Sequence, residues 1–219
     1  MKRIVLFAAL VAACGGSSNT AVDRNHAGSG SSTLLVTATA TVTVSDTAPT
    51  TAYAVNVKDG LNANVTGATV TLGGLALTDA GSGNYTGSLT SYPTGDLSLS
   101  VVKGTDKVQG VSLGYPGAHA INAPVGGTGA SVPVNQPLHI SWTTPSVSKA
   151  ATITLSSGGY SAQVPDTGTY DVPAASNSQT RTSQRVTIVR SNEVDVAGGL
   201  PGSSLKVTVT TRTDTFAVN

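Results

Sequence analysis

The sequence predicts an all-β chain carrying two small β-sandwich domains, and three observations support this. Short segments between Leu34 and Val209 alternate apolar with small polar residues at a period of two, the signature of half-buried strands. Thr, Ser, Val, Ala and Gly dominate; charged residues make up 11% of the chain, and strong helix formers such as Glu and Met are scarce. Gly- and Pro-rich breaks separate the segments. The densest, residues 124–137 with Pro124, Gly126, Gly127, Gly129, Pro133 and Pro137, divides them into two groups.

Before the first group come a basic start (Lys2, Arg3), an apolar run from Ile4 to Val11, and two small residues, Ala12 and Ala13, directly ahead of the single cysteine, Cys14. Charged start, short apolar core and small-residue processing site are the parts of a secretory signal, and the run is too short to span a bilayer as a helix. Leu10-Val11-Ala12-Ala13-Cys14 resembles the lipobox of bacterial lipoproteins. The resemblance implies a signal peptide over residues 1–13, cleavage between Ala13 and Cys14, and acyl chains on Cys14 that hold the protein on a membrane. Gly15, rather than Asp, follows the cysteine, which in enteric-type bacteria favours the outer membrane. The expected localisation is therefore exported and membrane-anchored, facing the periplasm or the outside. From Gly15 to Ser32 the chain is polar, Gly/Ser-rich and aperiodic, so residues 14–32 are expected to form a flexible tether.

The first domain is expected over residues 33–123. Leu34 to Val44 alternates through Val36, Ala38, Ala40 and Val42 with Thr between most of them, which suits a strand or an extended stalk. Tyr53, Val55 and Val57 lead into an Asp59-Gly60 turn. Strands follow at Ala68–Leu72, Tyr85–Leu89, Leu97–Val101 and Val108–Leu113, where Tyr115-Pro116-Gly117 breaks the run. Three of these stretches, Tyr53–Asp59, Val65–Leu72 and Leu77–Tyr85, resemble the carboxypeptidase-regulatory-like (prealbumin-like) and related Ig-like repeats of exported bacterial proteins. The resemblance covers about residues 51–121 and implies a β-sandwich; it names no activity.

After the linker at 124–137, a second sandwich is expected over 138–219. Leu138-Ile140-Trp142 alternates with His139 and Ser141, with Trp142 as the core anchor. Ala151–Leu155, Tyr160–Val164, Tyr170–Val172, Val186–Arg190 and Leu205–Val209 repeat the period, and none sustains a helical one. The Ile140–Trp142 strand is similar to those of fibronectin-type and other Ig-like domains.

Candidate chemistry is sparse. Asp166-Thr167-Gly168 matches the tripeptide of aspartic proteases, but those enzymes need two carboxylates sharing a proton. Pro165-Asp166-Thr167-Gly168 reads first as a turn between strands, with a hydrolase using Asp166 as the remote alternative. Asn62, Asn64 and Thr66 loosely match a calcium loop, yet Gly73 stands at the acidic twelfth position, and a hairpin loop after Asp59-Gly60 is the expectation. His26, His119 and His139 show no metal-ligand spacing, and no cofactor is expected. Tyr92 and Tyr115, each beside a Pro, are the candidate exposed aromatics for glycan contact.

Without residues 1–13, ten Lys and Arg face eleven Asp and Glu, a net charge of about −1 that argues against nucleic acid. The sequence thus predicts a non-enzymatic, lipid-anchored envelope protein with a structural, adhesion or assembly role, bound to the membrane through Cys14 and meeting an envelope protein or polysaccharide. The alternative is a carbohydrate-binding envelope lipoprotein.

Overall fold

The computed structural model describes residues 24–45 and 48–219; the lipobox and the cleavage site at Ala13 and Cys14 lie outside them. The regular structure of the described residues is almost entirely strand. In order these are β1 (Ser29–Gly30), β2 (Leu34–Thr43), β3 (Thr50–Asp59), β4 (Thr69–Leu72), β5 (Leu75–Ala76), β6 (Thr78–Gly81), β7 (Asn84–Leu89), β8 (Leu97–Lys103) and β9 (Asp106–Leu113). Then follow β10 (Ile121–Ala123), β11 (Ser131–Val132), β12 (Leu138–Trp142), β13 (Ala150–Leu155), β14 (Ser161–Val164), β15 (Thr169–Val172), β16 (Arg181–Gln184), β17 (Val186–Asp195), β18 (Ser204–Arg212) and β19 (Phe216–Val218). A single 3-10 turn, Ala174–Asn177, is the helical element among the described residues.

The strands form two packed layers. One layer is an eight-stranded sheet in the order β14-β13-β17-β18-β2-β3-β7-β6. The other consists of separate covers: a five-stranded sheet, β1-β9-β8-β4-β5, and two three-stranded sheets, β10-β12-β15 and β11-β19-β16. The all-β, two-sandwich expectation holds, with one sheet common to both sandwiches.

Strand β2 shows why the long sheet has a buried face and a wet one. Leu34, Val36, Ala38, Ala40 and Val42 point inward and Thr37, Thr39, Thr41 and Thr43 outward, so the Thr-Ala stretch is a central strand rather than a stalk. β-branched threonine suits the pleat while its hydroxyl stays in water. Register pairs Val209 with Arg190 and Thr211 with Ile188, so the inward residues of β17 and β18 share one face. That face carries both cores. The first gathers Val36, Tyr53, Tyr85, Leu99, Val111 and Val207, and the second Ile140, Trp142, Ile153, Ile188, Phe216 and Val218.

The covers change over residues 114–120, ahead of the expected division at 124–137: Ile121–Ala123, placed by the sequence in the first domain, is β10 and pairs with β12 of the second cover, while the long sheet is not divided at all. Strand β18 runs parallel to β2, pairing Ser204–Thr210 with Thr37–Thr43, and its Leu205, Val207 and Val209 lie in the first core. Its hairpin partner β17 puts Val186 and Ile188 into the second core. Length explains the sharing: β17 has ten residues and β18 nine, and roughly 30 Å of strand is more than one core requires. Within 124–137, Ser131–Val132 forms β11 and pairs in parallel with β19, so this stretch contributes to the second cover.

The tether expectation over residues 14–32 does not extend to its last nine residues. From Arg24 to Ser32 the chain lies as a strap along β9: His26 and Ser112 exchange backbone hydrogen bonds, Ser31 N–H donates to the Lys107 carbonyl, and Ala197 N–H to the Ala27 carbonyl. Glycine makes the fit possible. A Cβ on Gly198 would overlap the Ser29 carbonyl, and one on Gly30 the Lys107 carbonyl, so the strap threads a slot with no room for side chains. The polar composition that reads as a tether serves here as close backbone packing.

Candidate functional site

Between the two covers, polar side chains sit where the long sheet would otherwise present apolar ones. Along β17 the inward residues are Val186, Ile188, Arg190, Asn192 and Val194: apolar against the second core, polar in the middle, apolar again against the first. Over this polar middle passes the connection between the covers, in which Gly114, Tyr115, Pro116 and His119 are buried. A buried loop needs partners for its backbone. The long sheet supplies them: Asn192 Nδ2 donates to the Gly114 carbonyl at 2.8 Å, Arg190 Nη1 to the Pro116 carbonyl at 2.7 Å, and Thr211 Oγ1 to the His119 carbonyl at 2.8 Å.

Arg190 is the centre of this seam. Its side chain is 0% exposed and that of its partner Asp166 4%. The guanidinium donates to Asp166 Oδ2 from Nε at 2.9 Å and from Nη2 at 2.6 Å, and Nη2 also reaches the Ser146 carbonyl. Asp166 accepts further bonds from Ser148 Oγ at 2.6 Å and Trp142 Nε1 at 2.8 Å. Burial opposes the charge on Asp166, but the bonds from Arg190, Ser148 and Trp142 outweigh it and hold the carboxyl below its ordinary range. A buried ion pair satisfied this fully is a structural tie, because removing either member strands a charge in a dry site.

The turn expected at Pro165–Gly168 is present: Thr167 N–H donates to the Pro165 carbonyl, and Gly168 returns its carbonyl to Trp142 N–H. The hydrolase alternative at Asp166 is corrected. Both carboxylate oxygens are engaged, and burial closes the group to a second carboxylate from another copy. Sequence reasoning missed the ion pair, although Arg190 carried the signal: an arginine on the inward phase of a period-two segment demands a buried acid.

His119 lies in the same seam, buried, with neither ring nitrogen hydrogen-bonded. Burial first and Arg190 second push its pKa down to about 4, against smaller opposing effects from the Ile188 backbone and Asp166. The imidazole is therefore neutral at pH 7. Arg24 closes the outer side of the seam, bridging Asp96 and the Ser146 hydroxyl, while Asp96 Oδ1 accepts Tyr115 N–H.

The other candidates are dispersed. Tyr115 is 8% exposed, packed into the first core with its hydroxyl unpartnered, and burial pushes its pKa up to about 12. The expectation of an exposed ring there is corrected: its neighbours Gly114 and Pro116 lie in the covered connection, not in a surface turn. Tyr92 is half-buried, and its hydroxyl exchanges hydrogen bonds with the Ser45 backbone. His26 lies in the strap, and His139 pairs with Asp171 on an exposed surface. Among the described residues no His, Cys, Asp and Glu group has the makings of a metal site. Around the calcium-like stretch, Asp59 Oδ1 accepts the Leu61 and Ala63 amides and Asn62 Oδ1 accepts Lys58 Nζ, which closes a hairpin loop.

The residues behind the repeat resemblance do meet. Asp79 accepts the Gly67 amide at 2.6 Å and the Gly81 amide at 2.8 Å, and the first of these bonds is the leading cause of its lowered pKa. Tyr85 Oη donates to the Val65 carbonyl and accepts the Ala68 amide, both at 2.9 Å. Together they pin the 65–68 loop at the entry to β4.

No protein-family profile and no curated protein matches this chain. Among solved structures, the chain is similar to the adhesin InvE of Yersinia pseudotuberculosis (15% identity, TM-score 0.26, covering 82% of this chain) and spans 60% of that structure's length. It is also similar to the fibronectin(III)-like modules of Clostridium thermocellum CbhA, at 13% identity and TM-score 0.26, covering 80% of this chain and 93% of theirs. Superposition at this level assigns neither activity nor partner.

Proposed function

We propose that this chain is a lipid-anchored cell-envelope protein with a non-enzymatic, structural role, held on a membrane through acyl chains on Cys14 and carrying a two-core β-body as a fixed-geometry spacer or assembly element. The seam is the observation that supports this reading. Arg190, paired with Asp166 beside the second core, reaches the connection from the first cover through the Pro116 carbonyl, on a sheet common to both cores. Such a body transmits position and orientation rather than bending between modules.

The Cys14 motif supports the anchor. Ten residue steps separate Cys14 from Arg24, and covalent geometry limits the distance they span to about 35 Å. Arg24 sits at the seam, so the chain that leads from Cys14 joins the body there. Several acyl chains make such attachment lasting, whereas one is marginal.

Growth with radiolabelled palmitate tests the proposal. The wild-type chain takes up label and partitions with membranes, and Cys14→Ser loses both; absence of label in the wild type overturns the anchored reading.

A further inference from the structure

At the end of the second core, two loops enclose a polar cleft of about 440 Å³. One wall is the β13–β14 turn with Gly158 and Tyr160; the other is the 3-10 turn and its exit, with Ser176, Ser178 and Gln179. Arg181 opens β16 between them.

Both walls are held from beneath by buried amides. Gln184, 2% exposed, accepts the Ser156 hydroxyl and the Ser157 amide at 2.9 Å each and returns Nε2–H to the Ser157 carbonyl at 3.0 Å. Asn177, 4% exposed, donates to the Pro133 and Gln136 carbonyls at 2.9 and 3.0 Å. Loops fixed in this way lose little entropy when a ligand arrives.

The cleft-facing groups are oriented too. Tyr160 is half-buried, packed in part against the second core, and its hydroxyl is 2.8 Å from that of Tyr170, which fixes its ring at the edge of the cleft. Arg181 brings the Nη2 edge of its guanidinium against Gly158, where a Cβ would come within 2.7 Å of Nη2 and 3.3 Å of Cζ, and Nη2 donates to Gln179 Oε1 at 3.2 Å. Among the described residues no carboxylate pairs with Arg181. A positioned planar cation without a counter-ion suits a carboxylate, which guanidinium binds in a two-pronged fashion. The aromatic ring beside it suits the C–H face of a sugar, and Ser176 and Ser178 suit sugar hydroxyls.

From this cleft we infer an acidic-saccharide site: a uronic-acid residue of a polysaccharide, with its carboxylate on Arg181, its ring against Tyr160 and its hydroxyls on Ser176 and Ser178. The site is independent of the anchor and of the seam.

Titration of the full chain in detergent with oligogalacturonate, followed by saturation-transfer NMR and calorimetry, tests it. Expected are binding of the oligogalacturonate, loss of binding for its methyl ester, and at least about tenfold weakening by Arg181→Ala, in line with loss of a charge-assisted pair. Arg181→Lys should keep the charge but weaken binding, and Ser178→Ala, which spares the guanidinium, should weaken it several-fold with an unchanged melting curve. No binding at millimolar oligomer, equal binding of the ester, or affinity indifferent to both Arg181→Ala and Ser178→Ala overturns the proposal. Equal competition by inorganic sulfate also overturns it, marking the cleft as a general anion site.

Discussion

Arg190 and Arg181 lie on consecutive strands of one chain, β17 in the long sheet and β16 in a cover, yet their surroundings assign them opposite work. Arg190 is sealed between the cores with Asp166 and two backbone carbonyls as acceptors. Arg181 is half-exposed at the end of the second core with one acceptor, Gln179. A buried cation with every nitrogen engaged contributes to stability only as part of its set, whereas an oriented cation lacking a counter-ion is available to a ligand. Burial and saturation, not residue type, separate a structural arginine from a recognition one.

Removing one member of the seam pair should have the largest effect. Arg190→Ala or Asp166→Ala should each cost about 3–5 kcal/mol of unfolding free energy, since the partner is left charged and dry. Replacing both with apolar residues of similar volume should cost less than either single change. Urea denaturation of the four proteins checks this; additive losses would show that the two residues do not act as a pair.

Acid should act on the same place. The folded pKa of His119 is depressed from 6.5 to about 4, so its contribution is complete above pH 6.5 and is lost as pH falls toward 4. The size is on the order of 3 kcal/mol. Asp166, whose folded pKa is also lowered, adds a loss in the same direction once pH falls below its unfolded value. His119→Leu should flatten the part of the stability profile between pH 6.5 and 4, as read by thermal melts across that range. An unchanged profile would remove His119 from the seam's acid response.

Smaller effects are expected where backbone rather than charge is at stake. Gly198→Val would push a side chain into the strap and should cost about 1–3 kcal/mol, the usual range for overpacking. Hydrogen exchange at the Ser112 and Ala197 amides, which pair with the strap, should speed up, while exchange in β12 should not change. Protection retained at both sites would show that the strap tolerates the intrusion.

Much of this architecture was legible in the sequence, for physical reasons. A period-two pattern is a direct consequence of pleating, so the alternating strands between Tyr53 and Leu113 and between Leu138 and Val209 could be read, whereas the edge pieces β5, β6 and β16 lack apolar alternation and were not. The shared sheet could not. Nothing local distinguishes a strand that serves one core from one that serves two, and the parallel pairing of β18 with β2 joins residues more than 160 positions apart. The strap was hidden by its composition, because Gly and Ser mark both flexible tethers and slots too narrow for a Cβ. Asp166 was correctly placed in a turn, but its partner was visible only as Arg190 on an inward phase. The cleft left no contiguous motif, since its groups come from two loops and the start of β16.

Exposed ion pairs contribute about 0–1 kcal/mol, so separating His139 from Asp171, whose side chains are 61% and 66% exposed, should barely move the melting curve. Arg181→Ala should do no more: its side chain forms no ion pair among the described residues, and the cleft walls rest on Gln184 and Asn177 rather than on it. A change within about 0.5 kcal/mol is expected. If Arg181→Ala instead destabilises the chain as Arg190→Ala does, the guanidinium is part of the wall, and the distinction between the two arginines fails. If stability holds while the oligogalacturonate is lost, one chain uses the same side chain to join its cores and to meet a ligand, and solvent exposure decides between the two roles.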